Sequence, residues 1–213
     1  MAATSNLNPN LPMDSFFLAF LIALGAFALK AKEQSQRVAL LGSHLSQFQI
    51  EKLMEQLTDG YLRALGEDNP ERRAQVWALL ASTEEKLCAQ FSSFAAGFAK
   101  EAERPTRVSR WPLAFPRANL LFPQTTFDMR RALTLHAQSL RNASNNSLNQ
   151  SVKGKAFTLS AEIFLMQHTC HWFCKSKTVA SARLLARHKT SYEKVLASVA
   201  PQTRQAYLAL IGS

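Results

Sequence analysis

The sequence predicts an all-α protein: a single N-terminal transmembrane anchor followed by a cytoplasmic domain of about six to seven helices. Three observations lead there. The run Phe16 to Leu29 goes 14 residues without a polar side chain. Downstream, apolar residues recur at steps of three and four, and nothing in the chain reads as a strand. Glycine is scarce, at 7 in 213 residues, whereas Ala and Leu, which lose little rotamer freedom in a helix, are plentiful. A composition of 47% hydrophobic and 19% charged residues belongs to a chain that buries a core.

Residues 1–12 are polar and rich in turn formers, and read as a disordered leader; Met13 is an alternative start to Met1. Residues 13–32 form the anchor. The bare apolar run is short for a span of about 20 residues, but Leu11 to Ser15 lengthen it and Lys30 adds reach by snorkelling. Two other readings compete. A cleaved signal peptide is favoured by Ala26-Phe27-Ala28 but lacks a basic residue ahead of the apolar run. A buried soluble helix would carry a polar face at the surface, and this run has none. Lys30, Lys32 and Arg37 follow the run, so the positive-inside rule puts the rest of the chain in the cytoplasm and the N-terminus outside.

Residues 33–102 form a helical hairpin region. Val38, Leu41, Leu45, Phe48, Ile50, Leu53, Leu57, Tyr61 and Leu65 make one apolar face over residues 34–65, which the anchor can enter without a break. In "GEDNP", Gly66 stops a helix, Asn69 caps the next and Pro70 opens it. That helix reaches about Leu80; "STEE" at 82–85 has capping-box spacing and either starts a new helix or lies inside a continuous one to about Glu101. Phe91, Phe94 and Phe98 recur at helical spacing and read as core.

Four prolines between 103 and 125 forbid a long helix, leaving a Pro-rich connection. It mixes Trp111 and other apolar residues with Arg104, Arg107, Arg110 and Arg117, either as a strap packed on the helices or as a loop meeting lipid headgroups. Residues 126–213 form a basic helical region packing with 33–102 as one domain. Thr125 or Thr126 caps a helix to about Asn142, and "NASNNSLNQS" is a flexible break. Helices follow at 155–176, 179–188, from Ser191 or Thr190 to Val199, and from Pro201 to Leu210, where Gly212 ends the last.

Charge is unevenly spread. Residues 1–103 hold 9 Lys and Arg against 12 Asp and Glu, and residues 104–213 hold 16 against 3. The basic half therefore suits an anionic surface, with Arg183, Arg187 and Lys189 in "ARLLARHK" as further contacts for phosphate groups or a partner. Three cysteines, an odd number, fit reduced thiols in a cytoplasmic compartment.

"MQHTCHWFCKSK" carries the densest chemistry. On a helix, Leu159, Ile163, Met166, Cys170, Phe173 and Cys174 share one stripe, and Phe157, Ala161, Phe164, Leu165, His168 and Trp172 lie nearly opposite. A helix apolar on two faces is central to its domain, and Cys170 and Cys174 then pack as small hydrophobes. The sharper reading gives Cys170, His171 and Cys174 to zinc, with Cys88, His136 or His44 completing four ligands; no second ligand pair exists, so no cofactor is predicted. His168 and Glu162 are buried polar candidates, Glu162 being a seam residue reaching water, a proton carrier, or an ion-pair partner of Arg183 or Arg187.

There is no G-x-S-x-G, H-E-x-x-H or phosphate-cradling glycine loop. The expected function is a protein-interaction, scaffold or assembly factor anchored in the inner (cytoplasmic) membrane, with an unidentified protein partner and anionic lipid headgroups beside it. Metal- or cofactor-dependent activity at Cys170, His171 and Cys174 is the alternative. Nucleic-acid binding through the basic half ranks third, because the basic stretches lack an aromatic stacking platform.

Overall fold

A computed structural model describes residues 11–212, with side chains from residue 15 onward. The leader therefore lies outside the described residues, except that Leu11 and Pro12 are already helical.

Helix α1, Leu11–Leu45, runs 35 residues, about 50 Å at 1.5 Å per residue. Its first part has no protein packed on it: Phe16 is 75% exposed and Phe27 67%. This helix is long and apolar enough to cross a membrane. Its last turns join the core through Leu41. The helix expected to continue to residue 65 breaks at Ser46–Gln49, where the Phe48 N–H returns to the Leu45 carbonyl at 3.0 Å. Gln90 Oε1 then accepts the Gln49 N–H at 2.7 Å. The turn sets Phe48 edge-on to Phe94, with centroids 6.4 Å apart.

Helices α2, Ile50–Gly66, and α3, Pro70–Phe98, form the hairpin. Asn69 Oδ1 accepts the N–H groups of Glu71 and Arg72 at 2.9 and 3.0 Å, satisfying donors that the first turn leaves orphaned. Gly60 lets α2 approach Leu80 of α3 so closely that a Cβ would meet that side chain. The capping-box spacing at 82–85 does not start a helix. Ser82 and Thr83 hydroxyls donate back to the Leu79 carbonyl inside a continuous α3.

The Pro-rich connection is more ordered than its composition predicts. It holds two single-turn helices, α4 (Glu103–Thr106) and α5 (Ala118–Leu121). Its ends are clipped together by antiparallel strands β1 (Arg107–Ser109) and β2 (Thr126–Asp128), with Val108 opposite Phe127. No strand was expected; three residues are too few to display an alternating pattern. The cap of helix α6, Met129–Ser144, is Asp128 rather than a threonine. Its Oδ1 accepts the Arg130 N–H at 2.9 Å.

Helix α7, Val152–Cys174, is the central helix, with α6, α8 (Lys177–His188), α9 (Tyr192–Ser198), α1 and α2 packed on it. Helix α10, Pro201–Ile211, packs on α6 and ends at Gly212 with φ +71°. One exception to the two-faced stripe is Phe157, 57% exposed near the start of α7. A single apolar cluster joins both halves of the chain, from Leu57 and Phe91 to Leu133, Phe173 and Tyr207. Phe98 meets Phe173 in a T-shape at 5.9 Å, joining α3 to α7.

Candidate functional site

Four places gather chemistry: the cysteines of α7, a polar cluster in the core, a cleft between α7 and α8, and the junction of α1 with the domain.

Cys170 and Cys174 lie four apart on α7, and His171 between them shares their surroundings: Arg183 acts on Cys174 and His171, and Glu51 on Cys170 and His171. The Cys174 thiol lies within reach of Arg183 on α8 and then of Arg37 on α1, and the Cys170 thiol near Glu51 on α2. Burial pushes both thiols upward, so they are protonated at neutral pH, whereas the metal ligand is the thiolate. His171 Nδ1 instead accepts from Arg183 Nη1 on α8 at 3.1 Å. The candidates for a fourth ligand are spoken for elsewhere. Cys88 lies beside Ser144 and Glu84 on the α3–α6 side. His44 pairs with Glu101 at 2.8 Å, and His136 Nε2 is 3.0 Å from Thr169 Oγ1. Among the described residues no three His, Cys, Asp or Glu side chains are grouped to hold a metal ion.

Glu162 and His168 are buried, at 1% and 0% exposure. Glu162 reaches neither water nor Arg183. The α9–α10 corner closes over it, and its Oε1 accepts the Ala200 N–H at 3.0 Å, at the start of α10. No side chain caps the first turn of α10; Glu162 instead holds the N–H of Ala200, the residue before Pro201. Its other oxygen has no hydrogen bond of good geometry, Thr203 beside it donating to Ser139 instead; burial raises the carboxyl to about 7 against the opposing influence of Thr203 and the Ala200 N–H. His168 bonds Ser181 Oγ at 3.0 Å and stacks on Tyr192 at 4.4 Å. Burial, and then Lys177, lowers His168 to about 3. His136 is lowered to about 3 by burial as well. Its partner Thr169 also meets the Tyr207 hydroxyl at 3.0 Å. Both imidazoles are therefore neutral at pH 7.

Sequence reasoning missed a buried charge on α3. Glu84, 4% exposed, accepts from the Tyr61 hydroxyl at 2.6 Å and pairs with Lys155 at 2.5 Å. It ties α2, α3 and α7 together; a Glu inside the 82–85 capping-box stretch gave no sign of this.

A cleft of about 450 Å³ opens between α7 and α8, lined by Gln167, His171, Arg183, Arg187 and His188. Its lining includes no carboxylate. Burial, then Arg183 and Arg187, lowers His171; burial, then Arg187 and His171, lowers His188. Lys189, beyond the cleft, ends α8 in the left-handed region at φ 54°.

The junction is built from Glu33, Gln34 and Arg37, none of which the sequence singled out for a site. Arg37 pairs with Glu33 at 2.8 Å and donates to the carbonyls of Phe173 at 3.3 Å and Arg107 at 3.2 Å. Gln34 Nε2 donates to the Lys175 carbonyl at 3.4 Å, and its Oε1 accepts from Lys175 Nζ at 3.3 Å. The Phe173 and Lys175 carbonyls belong to the end of α7, where carbonyls lack helical partners and the dipole favours a cation. Glu33 Oε2 accepts the Arg117 N–H at 3.1 Å, holding the Pro-rich segment to the same turn of α1.

The junction sorts the arginines of that segment. Arg107 is used internally, on Thr126 Oγ1 at 2.9 Å and Glu103 at 3.4 Å. Arg110 packs against Gly212 at the end of α10. Arg104 and Arg117 are exposed and line a cavity of about 410 Å³ with Leu29, Lys32, Gln36 and Leu120. Trp111 stacks within its own segment, 4.9 Å from Phe122 and 6.0 Å from Phe115.

Comparison with known protein families, with characterised proteins and with solved structures finds no match to this chain.

Proposed function

We propose that the chain is a scaffold or assembly factor anchored in the inner (cytoplasmic) membrane, with residues 13–32 spanning the bilayer, the N-terminus outside and the helical domain binding a protein partner in the cytoplasm. One observation carries this reading: a single helix is bare and apolar in its first part and belongs to the folded core in its last turns. The large apolar side chains from Phe16 to Leu29 stand exposed, and in water such a surface is costly. Lys30, Lys32 and Arg37 sit on the domain side of the run, the arrangement the positive-inside rule associates with the cytoplasm.

The interior supports a structural use of the titratable groups. Glu162 holds the Ala200 N–H that leads into α10, Glu84 joins three helices, and His136 and His168 are held neutral by burial. The Arg37–Glu33–Gln34 junction supports a scaffold that holds its domain at a fixed attitude, because the anchor is bonded to α7 and to the Pro-rich segment rather than hanging from a flexible tether.

The test is expression of the full chain with a C-terminal tag, alkaline carbonate extraction, protease protection and native purification in mild detergent. The expected result is a carbonate-resistant protein whose tag is cleaved only when the cytoplasmic face is accessible, copurifying with one partner at fixed stoichiometry. Release by carbonate would overturn the anchor. A tag protected on the outer side would overturn the topology, and a protein that purifies alone would overturn the scaffold.

A further inference from the structure

We propose that the Pro-rich segment between Ser109 and Pro123 is a second membrane contact: its apolar tips enter the headgroup–acyl boundary around the foot of α1, and Lys32, Arg104 and Arg117 hold the phosphate of an anionic phospholipid beside it. The proposal rests on α1 being the anchor and adds to it a depth, an orientation and a lipid class.

Depth comes from what the tips touch. Leu120 lines the same cavity as Leu29, the last residue of the apolar run. Trp111, Leu113 and Phe115 line a second concavity with Lys30, the first charge after that run. Both concavities share Glu33 and Arg37, so the segment straddles the first turns of α1 past its apolar part. If α1 spans the bilayer, these tips lie at the depth where the hydrocarbon ends.

Their chemistry fits that depth. Leu113 is 69% exposed and Leu121 59%, and Phe115, Leu120 and Trp111 are exposed as well. Tryptophan is enriched at membrane–water interfaces because its ring is apolar and its N–H is polar. The strap cannot turn these residues inward. Its ends are paired as β1 and β2, Trp172 Nε1 donates to the Ser109 carbonyl at 2.9 Å, and Thr178 donates to the Pro112 carbonyl from its N–H at 3.1 Å and its hydroxyl at 2.9 Å.

Charge selects the lipid. Glu33 is the carboxylate lining the cavity, and its two oxygens are committed to Arg37 and to the Arg117 N–H. Among the described residues, the side chains of Lys32, Arg104 and Arg117 form no ion pair. Two guanidinium forks and an ammonium around one opening suit a phosphate oxyanion, and the bilayer beside α1 supplies one.

The test uses the full chain reconstituted in vesicles of dibrominated phosphatidylcholine containing one third phosphatidylglycerol. Carbonate extraction of the same vesicles comes first. If the protein is released, the anchor reading fails and this proposal with it. If it stays, tryptophan quenching tests the contact alone. Trp172 is buried and Trp77 packs on Tyr61 at 5.8 Å, away from the strap, so most of the quenched emission should come from Trp111 and disappear in Trp111→Phe. Trp111→Tyr, which keeps an aromatic ring to stack on Phe122, should show the same loss if the Phe variant fails to fold. Undiminished quenching in a folded variant would overturn the contact. For the phosphate site, wild-type protein re-extracted in mild detergent should retain phosphatidylglycerol above its share of the vesicle lipid. Arg104→Gln/Arg117→Gln should fall to that share while staying carbonate-resistant and quenched. Enrichment that survives the double substitution would overturn the lipid site.

Discussion

Glu162→Gln should stabilise the folded protein, by an amount that grows with pH. Glu162 is 1% exposed, with one oxygen on the Ala200 N–H and the other without a hydrogen bond of good geometry. Burial raises its carboxyl from 4.5 to about 7. Between those values the folded chain holds a proton that the unfolded chain has lost. This contribution to stability is therefore complete below 4.5, falls as pH rises through the window, and is gone above about 7. At about 1.4 kcal/mol for each tenfold change in the equilibrium, the loss is about 3 kcal/mol. Glutamine keeps an oxygen for Ala200 and carries no charge at any pH, so it does not suffer this loss. His136 and His168 act in the opposite direction. Both are lowered from 6.5 to about 3, so their contribution is present above 6.5 and is lost as pH falls towards 3. They are common to both proteins and cancel in the difference. Urea unfolding of both full-length proteins in detergent, followed by near-UV circular dichroism at about pH 5 and about pH 8, measures that difference directly. It should increase by about 2.5 kcal/mol across the interval, since part of the loss has already occurred at about pH 5. A difference independent of pH, or a wild type more stable than the variant at about pH 8, would mean that the folded state already holds Glu162 ionised at about pH 5, and the reasoning would fail.

Two glycines should respond in opposite directions to the same substitution. Gly60→Ala forces a Cβ into Leu80, and overpacking of about 1–3 kcal/mol should outweigh a helix-propensity gain of at most about 1 kcal/mol. Gly42→Ala meets nothing within 4 Å and should stabilise by about 0.5–1 kcal/mol; equal urea midpoints for the two variants would refute the close approach of α2 and α3. In the α7–α8 cleft, Arg183→Gln removes the largest charge effect lowering His171, so that imidazole should titrate at higher pH in an NMR experiment. An unmoved titration would show that burial alone sets its value.

The residue pattern alone determined the all-α class, the apolar N-terminal run, the cap at Asn69 and the helix start at Pro201, and narrowed the start of α9 to Thr190 or Ser191, because these depend on neighbours within a turn. It also marked α7 as central, since a helix apolar on two faces needs cover on both. Other features depend on contacts that sequence spacing does not encode. The break at Ser46–Gln49 contains neither Gly nor Pro and is held by Gln90, 41 residues on from Gln49. The strands clipping the Pro-rich segment owe their pairing to each other and are too short to leave a period. The candidate site was half legible. Arg104, Arg107, Arg110, Trp111 and Arg117 stood out by composition, but only the tertiary structure turned Arg107 and Arg110 inward and left Arg104 and Arg117 beside α1. Glu33, Gln34 and Arg37 read as ordinary polar residues after an apolar run. Their role follows from partners such as Phe173 and Lys175, more than 130 residues away. Hydropathy and periodicity are local sums and show which residues leave water, whereas the partner that meets each buried charge is settled by how the helices pack.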